Sequence, residues 1–284
     1  MQIGIIGLGL IGGSIAMDLK DQLGVKVYGT DINIDHQHQA KKLGLVHEVL
    51  SEEELIKRSE VIICAVPVHY LENKLSELLD KTEDGQIIID TGSTKQKICD
   101  SLRSHKNRSR FVAAHPLAGT ENSGPTAAHQ GLFKNKKNII CDAQLSDPTA
   151  VDICKRLFKS IGMESYELNS EEHDKHLAYV SHLSHVSSFM LGLTVLDLEK
   201  DEEQIAQLAS TGFASTVRLA KSSPETWGAI FDKNSEHVCD ALEQYIDYLN
   251  KFLTLLKSKE KESTIQLMKQ ANEVRRILDG IRTN

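Results

Sequence analysis

Three glycines and an acid open the chain with recognisable chemistry. GLGLIGGS (7–14) sets Gly7, Gly9 and Gly12 as G-x-G-x-x-G between an apolar run and a helical pattern. The first glycine permits a tight turn, the second lets backbone approach a pyrophosphate, and the third lets helix and strand pack closely. Leu10 and Ile11 then begin the helix whose free N–H groups and dipole favour an anion. Asp31 ends the next strand-like run, where a carboxylate binds a ribose 2′-hydroxyl and repels a 2′-phosphate. The expected cofactor is therefore NAD rather than NADP.

Other reactive residues follow apolar runs further along. CAVPV (64–68) offers Val66 and Pro67 as small, rigid lining for a nicotinamide, and DTGSTK (90–95) carries Ser93 and Lys95. HPLAGTENSG (115–124) places His115 directly after a strand-like run. An imidazole there titrates near neutral pH and suits a general base, with Ser93 as a hydrogen bond partner that fixes its orientation.

His173, His176, His182 and His185 raise the question of a metal. On one uniform helix each residue turns about 100°, so His176 and His185 lie roughly 180° apart and the set does not converge. No nearby acid completes a ligand set, and no metal is expected. Two readings of His182 and His185 remain: packed core histidines beside the stripe Leu177, Val180, Leu183, Val186, Met190, or a substrate clamp.

The elements that must hold these residues change character along the chain. Strand patterns at 2–7, 26–31, 60–67, 86–92, 110–116, 137–143 and 164–168 alternate with helical patterns at 14–23, 34–44, 70–81 and 148–162. That alternation predicts an α/β fold, a doubly wound and mostly parallel Rossmann-type sheet. Beyond about 170 the strand signal stops, and helical spacing covers 171–198, 202–210, 213–221, 224–258 and 260–282. The expected division is a dinucleotide-binding domain at 1–168 and an all-α domain at 169–284, whose long apolar faces suit packing against a second copy.

Composition narrows the setting. Of 284 residues 40% are hydrophobic, and the net charge of -7 with no long basic run argues against nucleic acid. No apolar run reaches the ~20 residues of a membrane span. The first residues read as a buried strand and turn rather than a signal peptide. Five scattered cysteines without a C-x-x-C pair are expected to be buried thiols in a reducing, cytoplasmic setting.

GLGLIGGS (7–14), DTGSTK (90–95), HPLAGTENSG (115–124), HDKHLAYVSHLSH (173–185) and GFASTVRLAKSSPETW (212–227), in this order, resemble the prephenate and arogenate dehydrogenases over nearly the whole chain. The resemblance implies a dinucleotide-binding domain followed by a helical domain that forms a homodimer. It implies oxidative decarboxylation of prephenate to 4-hydroxyphenylpyruvate with NAD in tyrosine biosynthesis, with arogenate as the alternative substrate. His115 would then take the ring hydroxyl proton, assisted by Ser93. Arg218 matches the substrate-binding arginine, and His182 and His185 line the pocket, with His185 donating to the substrate side chain. Because arogenate relatives tend to lose that histidine, His185 with Arg218 favours prephenate. Thr120 and Glu121 match positions at the pocket mouth, with Glu121 placed to pair with Arg218. His173 is a lesser pocket candidate, and Trp227 is expected either at the pocket wall or in ordinary core.

Ser184 stands where relatives often have proline, and Ser215 where some carry an acid, which weakens any gate built from two acids and the arginine. The chain is expected to lack a regulatory domain or fused mutase, so tyrosine feedback would act at the active site. A β-hydroxyacid dehydrogenase is a rival reading, but Lys175 is followed one turn on by Tyr179 rather than asparagine. A non-catalytic NAD-sensing protein is a second rival, disfavoured by the presence of His115, Ser93 and Arg218.

Overall fold

The computed structural model describes residues 1–199 and 205–280. In chain order the first elements are β1 (Gln2–Ile6), α1 (Leu10–Leu23), β2 (Lys26–Thr30), α2 (Ile34–Lys42), β3 (Glu48–Val49), α3 (Glu52–Arg58), β4 (Val61–Cys64), α4 (Val68–Lys81), β5 (Ile87–Asp90), α5 (Gln96–Leu102) and β6 (Phe111–Pro116). Then come β7 (Lys137–Cys141), α6 (Pro148–Ser160) and β8 (Glu164–Leu168). The sheet order is β3-β2-β1-β4-β5-β6-β7-β8, with only the β6–β7 pair antiparallel.

Period-two alternation builds the two cores. Ile3, Ile5, Val61, Ile63, Val112 and Ala114 face one way and pack with residues of α1, α2 and α6. Ile6, Ile62, Cys64, Ile88, Phe111 and Ala113 face the other way and pack with α3, α4 and α5. Helices thus cover both faces, the doubly wound arrangement that runs of Ile and Val at buried strands require.

The expected strands and longer helices occur, and three further elements join them. Ser51 caps α3, accepting from Glu54 N at 3.3 Å, with three glutamates in its first turn. Serine followed three residues on by glutamate is a signature of a helix start. β3 has two residues and α5 has seven, too short for periodicity to register.

Beyond Leu168 the described residues contain no strand. Asn169 caps α7 (Ser170–Leu177), which runs through a π-helical turn (Ala178–His182) into α8 (Leu183–Glu199). Next come α9 (Ile205–Leu208), α10 (Thr211–Val217), a 3₁₀ turn (Arg218–Lys221) and α11 (Pro224–Lys233). The helix expected unbroken over 224–258 stops at Asn234 (φ -118°, ψ 29°), whose side chain bonds to α7 and the π turn. The chain divides into two compact units, Met1–Asn234 and Ser235–Asn284. The second holds α12 (Ser235–Lys257), α13 (Lys261–Ala271), a 3₁₀ turn and α14 (Arg275–Leu278). The ends of the expected helices at 202–204 and 281–282 lie outside the described residues.

The cysteines are free thiols. Cys64, Cys99, Cys141 and Cys154 are buried as expected, but Cys239 is exposed. Among the described residues no helix is long and apolar enough to cross a membrane.

Candidate active site

The glycine turn leaves β1 where the motif requires. Gly7 has φ +93°, and a Cβ there would lie 2.5 Å from the Ala65 carbonyl oxygen. At Gly12 a Cβ would come within 1.9 Å of the Gly7 carbonyl oxygen, so this glycine sets how closely α1 approaches the turn. A Cβ at Gly9 would meet nothing within 4 Å, which leaves open space over the helix start. Gly9 is also the N-cap of α1 with no side chain bound there, and Leu10 and Ile11 follow as its first turn. Asp31 at the end of β2 accepts from Leu8 N at 2.8 Å through Oδ2 and from Asn33 N at 2.9 Å through Oδ1. Val66 is half-buried and Pro67 exposed after β4, at the same edge of the sheet. An open turn, bare helix N–H groups and an anchored carboxylate together fit a dinucleotide.

The next strand ends hold a buried charge pair. Lys95 and Asp90 form an ion pair at 0% exposure for both side chains. Asp90 Oδ2 also accepts from Gly92 N at 2.8 Å, and Oδ1 from Ala114 N at 3.1 Å. Lys95 Nζ donates to the Ala114 carbonyl at 2.9 Å. The β5–β6 ladder pairs only Ile88 with Phe111 and Ile89 with Val112. Beyond that register, Asp90 and Lys95 take over both backbone groups of Ala114 and hold the strand just before His115.

His115 lies inside β6, opposite Ile139 of β7, rather than after its strand as expected. Its ring is on the face covered by α5. The expected hydrogen bond from Ser93 is not the one formed. His115 Nδ1 instead meets His173 Nε2 at 2.9 Å, and His173 Nδ1 meets Asp174 Oδ1 at 2.7 Å. The cause is the docking of α7. Asp174 also accepts from Lys95 N (2.8 Å) and Gln96 N (2.9 Å), capping α5 from a distant segment, and this brings His173 against β6. Ser93 is half-buried and makes no side-chain hydrogen bond among the described residues.

The carboxylate can only accept, so His173 carries its proton on Nδ1. With both rings neutral, His173 Nε2 is then an acceptor, and His115 must donate from Nδ1. That leaves a bare lone pair on His115 Nε2, which has no protein partner among the described residues and is not sealed from the surface. This is the wiring that prepares a general base, with a carboxylate stabilising charge as the proton arrives. Burial first, then His173, Lys95 and His182, push the His115 pKa well below the ordinary histidine value. The ring is therefore available as a base throughout the neutral range.

The π turn reshapes the histidine helix. It winds more slowly than a uniform α-helix, so a turn of about 100° per residue does not hold across Ala178–His182. His173 and His182 are buried at 0% and 2% exposure, His185 is half-buried, and His176 is exposed. Val180 and Met190 of the expected core stripe are exposed at 69% and 51%. His185 stacks on Trp227 (3.3 Å between ring centroids, 20°), which also meets His182 edge-on at 5.9 Å. Trp227 is thus a wall of this histidine cluster and also packs against the second core.

The donor role expected of His185 needs correction. Its Nδ1 lies 3.0 Å from the Ser181 carbonyl, which only accepts. Neutral His185 therefore presents an acceptor at Nε2, and burial lowers its pKa, with Arg218 adding to the shift. Arg218 and Glu121 come to 3.9 Å, the pairing expected, with both side chains exposed. Such a pair contributes little energy, so Arg218 is free to leave it for a carboxylate. Thr120 Oγ1 accepts from Asn122 N at 3.2 Å and shapes the same loop.

Buried neutral histidines predict acid sensitivity. His182 has its pKa lowered to about 4, chiefly by burial. Unfolded histidine protonates near 6.5, so below that pH the unfolded chain binds more protons. The stabilisation is fully present above about pH 6.5 and falls as pH drops, levelling off for His182 below about 4. Urea midpoints should decline between about pH 6.5 and 5, where carboxylates remain ionised, and His182→Gln should flatten the decline.

The residues missed by sequence reasoning are Asp174 and Asn234, with His173 undervalued. Only the adjacency of His173 and Asp174 gave any local signal.

The family model described as prephenate dehydrogenase, nucleotide-binding domain, matches residues 15–167, and that of the dimerization domain matches 169–270. The chain is 32% identical over 281 residues to the prephenate dehydrogenase of Bacillus subtilis (strain 168), covering 98% of this chain and 75% of the relative. It is similar to the crystal structure of Aquifex aeolicus prephenate dehydrogenase with hydroxyphenyl propionate and NAD+ (TM-score 0.87, 28% identity, 98% of each chain). It is also similar to Synechocystis arogenate dehydrogenase (TM-score 0.81, 27% identity, covering 98% and 100%).

Proposed function

The chain belongs to the prephenate dehydrogenase family, and from that membership we propose that it converts prephenate to 4-hydroxyphenylpyruvate and carbon dioxide with NAD in tyrosine biosynthesis. The observation that carries the reaction is the bare His115 Nε2, held by His173 and Asp174. NAD, when bound over Gly9 and α1, supplies the hydride acceptor. His115 takes the proton of the ring hydroxyl, so that a carbonyl develops as the hydride leaves. The ring carboxylate departs as carbon dioxide, its bonding electrons complete the aromatic ring, and the former carbonyl oxygen takes the proton back from His115 to become the phenol. Ser93 follows β5 with an unengaged hydroxyl, which we assign to the reacting end of the substrate.

The exposed guanidinium fork of Arg218 beside Glu121 supports its assignment to a carboxylate of the dianion. Arg218→Ala should raise KM for prephenate by about ten- to a hundredfold, with kcat changed far less. Steady-state kinetics at saturating NAD measure this.

Identity to the B. subtilis enzyme favours prephenate. One observation favours arogenate instead: the acceptor at His185 Nε2 suits an ammonium. The deciding experiment is NADH formation with each substrate and with NAD or NADP. Faster turnover of prephenate with NAD supports the proposal. Preference for arogenate overturns the substrate and keeps the base.

We place the working division at the end of the sheet, 1–168 for the dinucleotide and 169–284 for substrate and a homodimer. The family models meet at the same point. Exposed apolar side chains mark the helical part, including Leu193, Leu196 and Leu198 on α8 and Leu249, Leu253 and Leu256 on α12.

A further inference from the structure

Asn234 interrupts what would otherwise be one long helix, and its side chain is 3% exposed in the residue as a whole. Its Nδ2 lies 2.8 Å from the Asp174 carbonyl oxygen and 3.1 Å from His182 Nδ1. A carbonyl oxygen only accepts, so the amide orientation is forced: the nitrogen faces Asp174, and its second hydrogen points to His182. His182 Nδ1 must then be the acceptor, and the neutral ring carries its proton on Nε2. That Nε2 has no protein partner among the described residues and is not sealed from the surface. His182 sits against Trp227, and Asn234 ties it to Asp174, the residue that also holds the His173–His115 pair.

We infer that Asn234 is a positioning residue that locks His182 as a neutral Nε2–H donor, making His182 rather than His185 the uncharged donor to an anionic or keto oxygen of the substrate. The inference deepens the prephenate reading and rests on it for the identity of that oxygen. A fixed donor accepts a keto acid and disfavours an ammonium, the reverse of what His185 offers. The same turn of α7 therefore sets both rings, with the Asp174 side chain governing His115 and its backbone carbonyl, through Asn234, governing His182. The burial that lowers the His182 pKa keeps the donor uncharged across the neutral range.

The test compares wild type with Asn234→Asp in the full-length enzyme with NAD. A carboxylate at 234 accepts from Nδ1–H, turns Nε2 into an acceptor at neutral pH and makes His182 easier to protonate. KM for prephenate should rise about ten- to a hundredfold at about pH 8, with kcat within about threefold. The rise should shrink as pH falls, because the imidazolium regains Nε2–H. The titratable groups around His182 are Asp174, His173, His185 and His115, and all are shared by the two proteins. In a His182→Gln background the substitution should lose its pH-dependent effect. A KM penalty that is independent of pH, or unchanged in that background, overturns the inference.

A second measurement does not need turnover. Nitrogen-15 spectra of histidine-labelled wild type should show His182 protonated at Nε2 and bare at Nδ1, its signals identified by their loss in His182→Gln. Asn234→Ala should convert them to a tautomer mixture. Wild-type signals with the proton on Nδ1 overturn the inference even if prephenate is turned over. Correct signals in an enzyme that turns over neither substrate would overturn the functional reading alone.

Discussion

His115→Asn is expected to lower kcat by about 10²–10⁴-fold, the range that a positioned general base supplies. Asparagine keeps a polar group in β6 but has no site that takes the hydroxyl proton. NADH binding should be unchanged, because the glycine turn and Asp31 lie elsewhere along the strand ends. Activity of the wild type should hold down to a pH below 6.5, where protonation of His115 ends it, since its pKa is pushed well below that value. The sign is set by burial: a ring that resists protonation stays a base in mild acid. Asp174→Asn should reproduce much of the loss with His115 intact, because a neutral amide no longer stabilises the charge that the His115–His173 pair gains as the proton arrives. Unfolding midpoints for both variants separate this from damage to the α5 cap. A His115→Asn enzyme with near wild-type kcat would remove His115 from the chemistry.

Lys95→Met should cost about 3–5 kcal/mol of stability, as expected when one partner of a buried pair is removed. Asp90 would be left without its cation at 0% exposure, with only Gly92 N and Ala114 N among the described residues as partners. The Ala114 carbonyl would lose its partner as well. Methionine fills a similar volume, so the loss reads the charge rather than a cavity. The double variant Asp90→Leu with Lys95→Met should recover part of the cost, because no lone charge stays buried, but not all of it, because both Ala114 backbone groups lose partners. Urea unfolding measures both. A Lys95→Met protein as stable as wild type would mean that the pair is solvated in solution. The kinetic counterpart is a misplaced His115, since Ala114 precedes it in β6.

Much of the framework was legible in the sequence. The runs at 2–7, 60–67 and 86–92 became the central strands, because alternating or continuous apolar residues report burial on a sheet directly. Gly7, Gly9, Gly12 and Asp31 were legible because their roles depend on backbone geometry within one turn. Other features were not. The N-cap residue of α5, Lys95, makes no side-chain capping bond, and the helix is capped by Asp174, 78 to 79 residues away. The π turn hides inside a helical pattern, because a single extra residue in one turn barely disturbs periodicity over a long helix.

What the sequence determined alone is therefore the α/β alternation, the dinucleotide turn and the histidine at the end of β6. The state of that histidine was decided only in the tertiary structure. His115 meets a ring 58 residues away, and His182 meets an amide 52 residues away. Periodicity records which face of an element is apolar, whereas a tautomer depends on which donor or acceptor a distant segment delivers within about 3 Å. That delivery exists only once α7 and Asn234 are docked.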